Sequence, residues 1–350
     1  MELISMPRER FARVWEVLES GQREKVAPSF VAAVYQVQSP GKAWVASLGC
    51  EPDTVFDLAS VTKIYATAML ASVLVERRWL RWEQPLADFI PEFSDSGILI
   101  RHLLSHTAGF PAWLPLWEKL KADPSLQMRD LVVKTKPEVP PGTRVLYSDI
   151  GFILLKYALE ECAGVRFENA VQRWLWNPMG LKKSFYVRFG RALPIPVSKI
   201  AATEIVDWRG GSIQGQPHDE NCFLMGGVSG HAGVFAPAED LMIWAEHLLR
   251  NHFPGRETLR QAWTRASQPS GCSRTLGWDT PSGDSPSIGQ YFSTQSVGHL
   301  GFTGTSFWLD PENGIAVALL TNRVNPTREN IAIRAFRPRF HDAVWLEFKT

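Results

Sequence analysis

Ser60 and Lys63 stand three residues apart in "FDLASVTKIYATAML" (56–70), among Val61, Ile64 and Ala66. In a helix this spacing puts hydroxyl and amine on one face, one turn apart, so the amine reaches the serine oxygen. An apolar helix face rarely holds a lysine, and a desolvated lysine loses proton affinity and can serve as a base. A serine near a helix N-terminus also has free N–H groups and the macrodipole beside it, which favour developing negative charge. The chemistry implied is nucleophilic catalysis by Ser60 with its proton acceptor built in. Alone, Ser-x-x-Lys is a weak signal that also describes many solvated helix faces.

Two further stretches carry reactive side chains. "PGTRVLYSDIGFILL" sets Tyr147, Ser148 and Asp149 just before an apolar helix, offering a phenol and a carboxylate. "VGHLGFTGTSFWLDP" sets His299, Leu300 and Gly301 at the opening of a strand, where glycine lets a ligand backbone approach closely. Other residues read more plainly. His218, Asp219, Glu220 and His231 lack the tight spacing of metal ligands, so no metal and no cofactor is expected. His106 in "LLSHTAGF" reads as a buried histidine bonded to local backbone. Trp113 and Trp117 read as core packing or as the rim of a cleft. Cys222 has no activating partner in sequence and reads as structural.

The elements that must position these residues can be sketched from the pattern. "FVAAVYQVQ" (30–38) and "KAWVASLG" (42–49) read as two strands joined by a Ser-Pro-Gly turn, followed by a helix from Ser60 to Glu76. The middle is helical in character: "LADFIPEF", "IRHLLSHTAGF", "MRDLVVKT", "IGFILLKYALEECAG" and "FENAVQRWLW", with Gly164 and Gly180 as helix stops. Glycine-rich loops occupy 205–235, and a hairpin at Glu312-Asn313-Gly314 joins "TSFWLDP" to "GIAVALLTN". A last helix is expected from Pro326, kinked or split at Pro338. The pattern predicts an α/β (α+β) protein with a single catalytic domain over 1–350. An antiparallel sheet built from both chain ends and flanked by helices (1–78 and 227–350) would face a mostly helical lobe (79–226) across a cleft.

Bulk properties narrow the partners. A net charge of +1 over 350 residues gives no electrostatic case for nucleic acid. No apolar run is expected to cross a bilayer, and "MELISMPRERFARVWEVLE" lacks the apolar centre of a signal peptide. The scattered Cys50, Cys162, Cys222 and Cys272 suit a reducing compartment, so the cytoplasm is expected, or the periplasm if export uses another route. The expected partner is a small-molecule or peptide substrate.

Order and spacing of the three stretches, Ser-x-x-Lys, Tyr-x-Asp and His-x-Gly, resemble the penicillin-recognising serine hydrolases, in the branch around class C β-lactamases. That branch also holds D-alanyl-D-alanine carboxypeptidases, carboxylesterases and cell-wall amidases. "IRHLLSHTAGFP", "GHAGVFAPAEDL" and "GHLGFTGTSFWLDPENGIAVALLTNR" look like the family's segments in the family's order. The resemblance implies the β-lactamase/transpeptidase-like fold, with Ser60 as nucleophile and Lys63 and Tyr147 sharing the acid–base work. It implies an oxyanion hole from the backbone N–H groups of Ser60 and Phe302, with Asp149, His299 and Gly301 in support. It also implies that Asn325 and Arg328, three residues apart at the start of the last helix, meet a substrate carboxylate, with Arg323 assisting.

Two positions depart from the family pattern. Asp149 stands where class C enzymes usually have Asn, and a carboxylate there would keep Lys63 protonated and shift weight to Tyr147, the three titrating as a coupled set. His299-Leu300 replaces the usual lysine and hydroxyl residue, which counts against efficient β-lactam hydrolysis. The expected activity is amide cleavage in peptidoglycan-derived muramyl peptides. Behind it come a carboxylesterase, a weak β-lactamase and a non-hydrolytic penicillin-binding module.

Overall fold

The computed structural model describes residues 1–250 and 252–348. Its main sheet has six strands in the order Glu2–Ser5, Lys42–Leu48, Phe30–Gln36, Ile315–Thr321, Ser306–Asp310, Val297–Leu300. Every strand comes from one end of the chain or the other, as the pattern implied. The two ends meet where Phe30–Gln36 pairs antiparallel with Ile315–Thr321, Val34 opposite Val317. The sheet is not wholly antiparallel. The edge strand Glu2–Ser5 runs parallel to Lys42–Leu48, an addition that the alternation of its four residues was too short to signal.

Both central strands are apolar on both faces because both faces are covered. Val31, Ala33 and Tyr35 join the larger core, with Leu241 and Trp244 of helix Ala238–Leu249. Phe30, Ala32 and Val34 join a second core under helices Ala12–Arg23 and Ile333–Phe348. Those two helices pack closely: a Cβ on Gly21 would lie 2.4 Å from the Phe336 ring. The hairpin between Ser306–Asp310 and Ile315–Thr321 turns at Gly314 (φ +64°), as its Asn-Gly pair predicted. Gly164 and Gly180 end helices in the left-handed conformation.

The segment carrying Ser60 departs from a plain α-helix. It runs as a 3₁₀ turn (Ala59–Val61), a wide π turn (Lys63–Ala68) and an α-helix (Met69–Glu76). Over Ala59–Glu76 it is long and apolar enough to cross a membrane by length and composition, which corrects the expectation that no such run exists. Yet 83% of that stretch is buried inside the protein, as in a core helix.

The end of the chain corrects two more expectations. The last helix begins at Ile333 rather than at Pro326, and it continues through Pro338 to Phe348. Residues 322–332 instead form a loop whose polar groups bind one another and neighbouring backbone, including Asn325 Nδ2 to Thr203 O at 2.7 Å.

Candidate active site

Ser60 opens from a constrained turn. Ala59 takes a left-handed φ of +45°, and its N–H is held by Asp57 Oδ1 at 2.9 Å. The other Asp57 oxygen accepts the His218 N–H at 2.7 Å. Burial pushes the Asp57 carboxyl up in spite of these bonds. The expected pairing is present: Lys63 Nζ donates to Ser60 Oγ at 3.0 Å.

Lys63 is fully buried, and its ammonium has two further contacts. Nζ donates to His231 O at 3.2 Å and forms an ion pair with Asp149 Oδ1 at 2.7 Å. Burial alone would lower its pKa, but the Asp149 carboxylate, together with Tyr147, outweighs this, and the net direction is up. The Tyr147 phenol interacts with both Lys63 and Ser60. It is raised by burial and by Asp149, against the pull of Lys63. Asp149 therefore acts as the departure from the family pattern suggested, keeping the lysine an ammonium.

Tyr147 is clamped by His106, which is buried as expected but binds backbone 42 residues away rather than local backbone. The N–H before Tyr147, on Leu146, donates to His106 O at 2.8 Å. The N–H after it, on Ser148, donates to His106 Nδ1 at 3.0 Å. The His106 and Tyr147 ring centroids are 4.5 Å apart. Burial first, then Arg274 and Lys63, hold His106 well below the ordinary histidine range, so it stays a neutral acceptor. Ser148 caps helix Asp149–Ala163 by accepting the Gly151 N–H at 3.2 Å.

His299 also faces Tyr147, at 5.9 Å between ring centroids, and is pushed far down by burial and then by Lys63. Its Nδ1 is 2.8 Å from Leu300 O, and its buried Nε2 has no hydrogen-bond partner. A neutral imidazole here cannot replace a lysine's charge. Gly301 is required by the packing of its own chain. A Cβ there would lie 2.0 Å from Thr305 Oγ1 and 2.6 Å from Leu58 O, so glycine lets the strand end press against the chain leading to Ser60. Among the described residues, the Phe302 N–H, in the turn after the strand, donates to no other backbone group, which leaves it available to an oxyanion.

The expected substrate cations are already engaged. Arg328 lies in the loop, where Nε meets Glu204 at 2.6 Å and Nη2 meets Glu220 at 2.5 Å. These two carboxylates outweigh burial and raise it further. Arg323 is buried and donates to the carbonyls of Phe302, Arg328 and Asn330 at 2.7–2.8 Å. Asn325 is tied to Thr203 O. The sequence could not show this, because Glu204 and Glu220 lie more than a hundred positions away. Arg334, which the sequence reading missed, is exposed and lines the same cleft, with no side-chain partner among the described residues.

That cleft has a volume of about 660 Å³ and is lined by Ser60, Tyr147 and Asp149. Three exposed apolar side chains reach it: Trp113, Phe302 and Ile331, at 44%, 50% and 60% exposure. Trp113 thus rims the cleft, whereas Trp117 stacks on Trp208 at 5.0 Å. Phe302 is held between the His218 ring at 5.5 Å and the Arg323 guanidinium at 4.4 Å.

The four residues weighed as metal ligands do not converge. His218 Nε2 pairs with Glu204 at 2.9 Å, and His231 Nε2 pairs with Asp219 at 2.8 Å. Burial would raise Asp219, but His231 outweighs it and brings the carboxyl down to about 2. Asp149, Asp219 and His231 do have donor atoms within 4.8 Å of one another. The Lys63 ammonium, bonded to Asp149 and to the His231 carbonyl, already supplies the cation among them.

A Beta-lactamase family model matches residues 16–337. A protein of Salmonella agona (strain SL483) named "Putative D-alanyl-D-alanine carboxypeptidase" is 31% identical over 306 residues, covering 77% of this chain and 70% of the relative. Among solved structures, EstCE1, described as a hydrolase with promiscuous acyltransferase activity, is similar at a TM-score of 0.75 and 20% identity, covering 96% of this chain and 99% of that one. A penicillin-binding protein from Bacillus halodurans is similar at a TM-score of 0.70 and 21% identity, covering 92% and 98%. The two structural likenesses bear on the fold.

Proposed function

Because the chain belongs to the beta-lactamase family and has that family's hydrolase fold, we propose that it works through an acyl-enzyme at Ser60 and cleaves an amide bond in a cell-wall-derived peptide. The observation that carries this reading is the Ser60 Oγ at 3.0 Å from a buried Lys63 that is itself coupled to Asp149 and Tyr147.

In this mechanism Ser60 Oγ attacks the substrate carbonyl, and its proton passes to the Lys63–Tyr147–Asp149 set. Charge builds on the carbonyl oxygen between the N–H groups of Ser60 and Phe302. Collapse of the tetrahedral species breaks the bond to the leaving amine, which takes a proton from Tyr147. A water molecule then attacks the ester to Ser60 and frees the enzyme.

A D-alanyl or muramyl peptide fits two features. Arg334, exposed at the cleft, offers a charge for a substrate carboxylate that Arg328 and Arg323 can no longer offer. Curated relatives at 31% identity carry the name "Putative D-alanyl-D-alanine carboxypeptidase". A second reading, a carboxylesterase for apolar acyl groups, draws on the exposed Trp113, Phe302 and Ile331.

Whole-protein mass spectrometry after incubation with a D-alanyl-D-alanine peptide, muramyl peptides, p-nitrophenyl esters and benzylpenicillin tests both. We expect an acyl adduct on Ser60 from the peptide class, and none in Ser60→Ala. Turnover in Ser60→Ala should fall by roughly a million-fold while the fold persists, as when the nucleophile is removed from a comparable serine enzyme. Near-normal turnover in a folded Ser60→Ala protein would end the reading.

A further inference from the structure

The turn after strand Val297–Leu300 is gripped from behind by two buried arginines with no carboxylate ion pair among the described residues. Arg337, on the last helix and 6% exposed, donates Nη2 to Gly301 O at 2.7 Å and to Thr305 O at 2.8 Å. Arg323, also 6% exposed, donates Nε to Phe302 O at 2.8 Å. Burying a guanidinium without an anion is costly. Burial, with Arg323 and Arg334 nearby, pushes Arg337 down to about 9. What its charge meets instead is the oxygen side of two peptide groups.

The Gly301 carbonyl and the Phe302 N–H are opposite ends of one planar, conjugated amide. A cation bonded to the oxygen draws electron density across that amide and makes its N–H a stronger donor. We propose that Arg337 is a positioning residue for acyl transfer: by binding the Gly301 carbonyl it polarises the Gly301–Phe302 peptide and fixes the Phe302 N–H as an oxyanion donor. The inference rests on the acyl-enzyme reading above.

The surroundings keep that peptide in place. Thr305 Oγ1 donates to Leu58 O at 3.0 Å and Thr303 Oγ1 to Asp57 O at 2.8 Å, which ties the turn to the chain just before Ser60. Gly301 lies so close to Leu58 O and Thr305 that a Cβ there would clash with both. Arg323, on the next carbonyl, fixes the tilt of the following peptide. The amides of Ser60 and Phe302 therefore sit in one braced frame, with two positive charges behind it.

The test uses the full chain with Arg337→Met, Arg337→Gln and Arg337→Lys, acylated by p-nitrophenyl [1-¹³C]acetate. The acyl-enzyme carbonyl band is read by isotope-difference infrared spectroscopy, and rates are normalised to active sites titrated by the acylation burst. In the unmodified protein the band should lie below that of an acetyl ester in water. Met and Gln should lose most of that shift, with kcat per titrated site down about 10- to 100-fold and KM little changed. Lys, which restores a cation, should recover part of both. If Met fails to fold, the comparison of Gln with Lys decides. An unmoved band and a kcat per site within twofold in Gln or Met overturn this inference alone. Absence of any acetyl group on Ser60 in the unmodified protein overturns the acyl-enzyme reading, and this inference with it.

Discussion

Replacing Asp149 with Asn removes the anion that keeps Lys63 charged, and the structure sets the size of the effect. At 2.7 Å, with an effective dielectric of about 20, the gross attraction between the two groups is about 6 kcal/mol. Its loss leaves a lysine that burial alone pushes down, so in Asp149→Asn the folded-state amine becomes neutral. Breaking a buried pair typically costs about 3–5 kcal/mol, and we expect that loss at pH 7. The pH dependence is the sharper test. In the unmodified protein Lys63 has a raised pKa, so its pair stabilises fully below about pH 10.4, is lost only as pH rises through that raised value, and contributes no slope between pH 7 and 9. In the variant the unfolded chain binds a proton that the folded chain does not. Stability should therefore rise by about 1.4 kcal/mol per pH unit over that range relative to the unmodified protein. Urea unfolding at pH 7, 8 and 9 measures this. The acidic limb of kcat/KM should move to lower pH, because losing an anion lets the Lys63–Tyr147 set release its proton more readily. A stability deficit that stays constant from pH 7 to 9, with an unmoved acidic limb, would refute the claim that Asp149 sets the protonation of Lys63.

Three further outcomes follow from the same geometry. Arg334→Ala should cost about 1.5–3 kcal/mol in kcat/KM on a substrate with a free carboxylate and almost nothing on a neutral ester, and equal losses on both would remove Arg334 from substrate binding. Arg328→Ala should leave the ratio between those two substrates unchanged but lower stability by about 1–2 kcal/mol, since it takes the shared cation from Glu220 and from Glu204, which keeps His218, at a partly exposed site; thermal unfolding measures the loss. His106, His299 and His341 are all buried and all held below the ordinary histidine range, His341 at about 3. Each must remain neutral in the fold while the unfolded chain takes up a proton below about pH 6.5. At pH 5 each therefore lowers stability by about 2 kcal/mol, and unfolding curves at pH 7, 6 and 5 should show a steep loss.

Much of the fold was legible because its signals are local. Strands 30–36 and 42–48, the Asn-Gly hairpin and the two glycine helix stops each depend on a few adjacent residues. The grouping of the proposed catalytic residues was legible for a related reason, since Ser60 and Lys63 are fixed by one turn of helix and Tyr147 and Asp149 by one helix start. The misplaced last helix shows where local signals fail. Pro326 looked like a helix start, but Asn325, Arg323 and Asn330 bind carbonyls and backbone from elsewhere in the chain, and those bonds keep 322–332 as a loop. Pro338 did not break the helix, which is buried along one side against the sheet and the first helix.

Charges were least legible, because a charge is assigned by its partner and partners are distant in sequence. Five cations lie at or beneath the cleft: Lys63, Arg323, Arg328, Arg334 and Arg337. Their side chains look alike in the sequence and have four different occupations in the fold. Lys63 is paired with a carboxylate at the nucleophile, and Arg328 is paired with two in a loop. Arg323 and Arg337 are bonded to carbonyl oxygens of the turn beside Ser60, and Arg334 faces the cleft. His299 is held neutral, so on the proposed mechanism the arginines of the last helix and its preceding loop would add to the positive field that Lys63 sets up beside Ser60. Arg323 and Arg337, nearly buried and bonded to backbone carbonyls, can contribute to such a field while Phe302 N–H stays free for the substrate. In this chain, then, the charge that stabilises an oxyanion and the charge that recognises a substrate carboxylate would fall to different arginines three positions apart on one helix, Arg337 facing the turn and Arg334 facing the cleft.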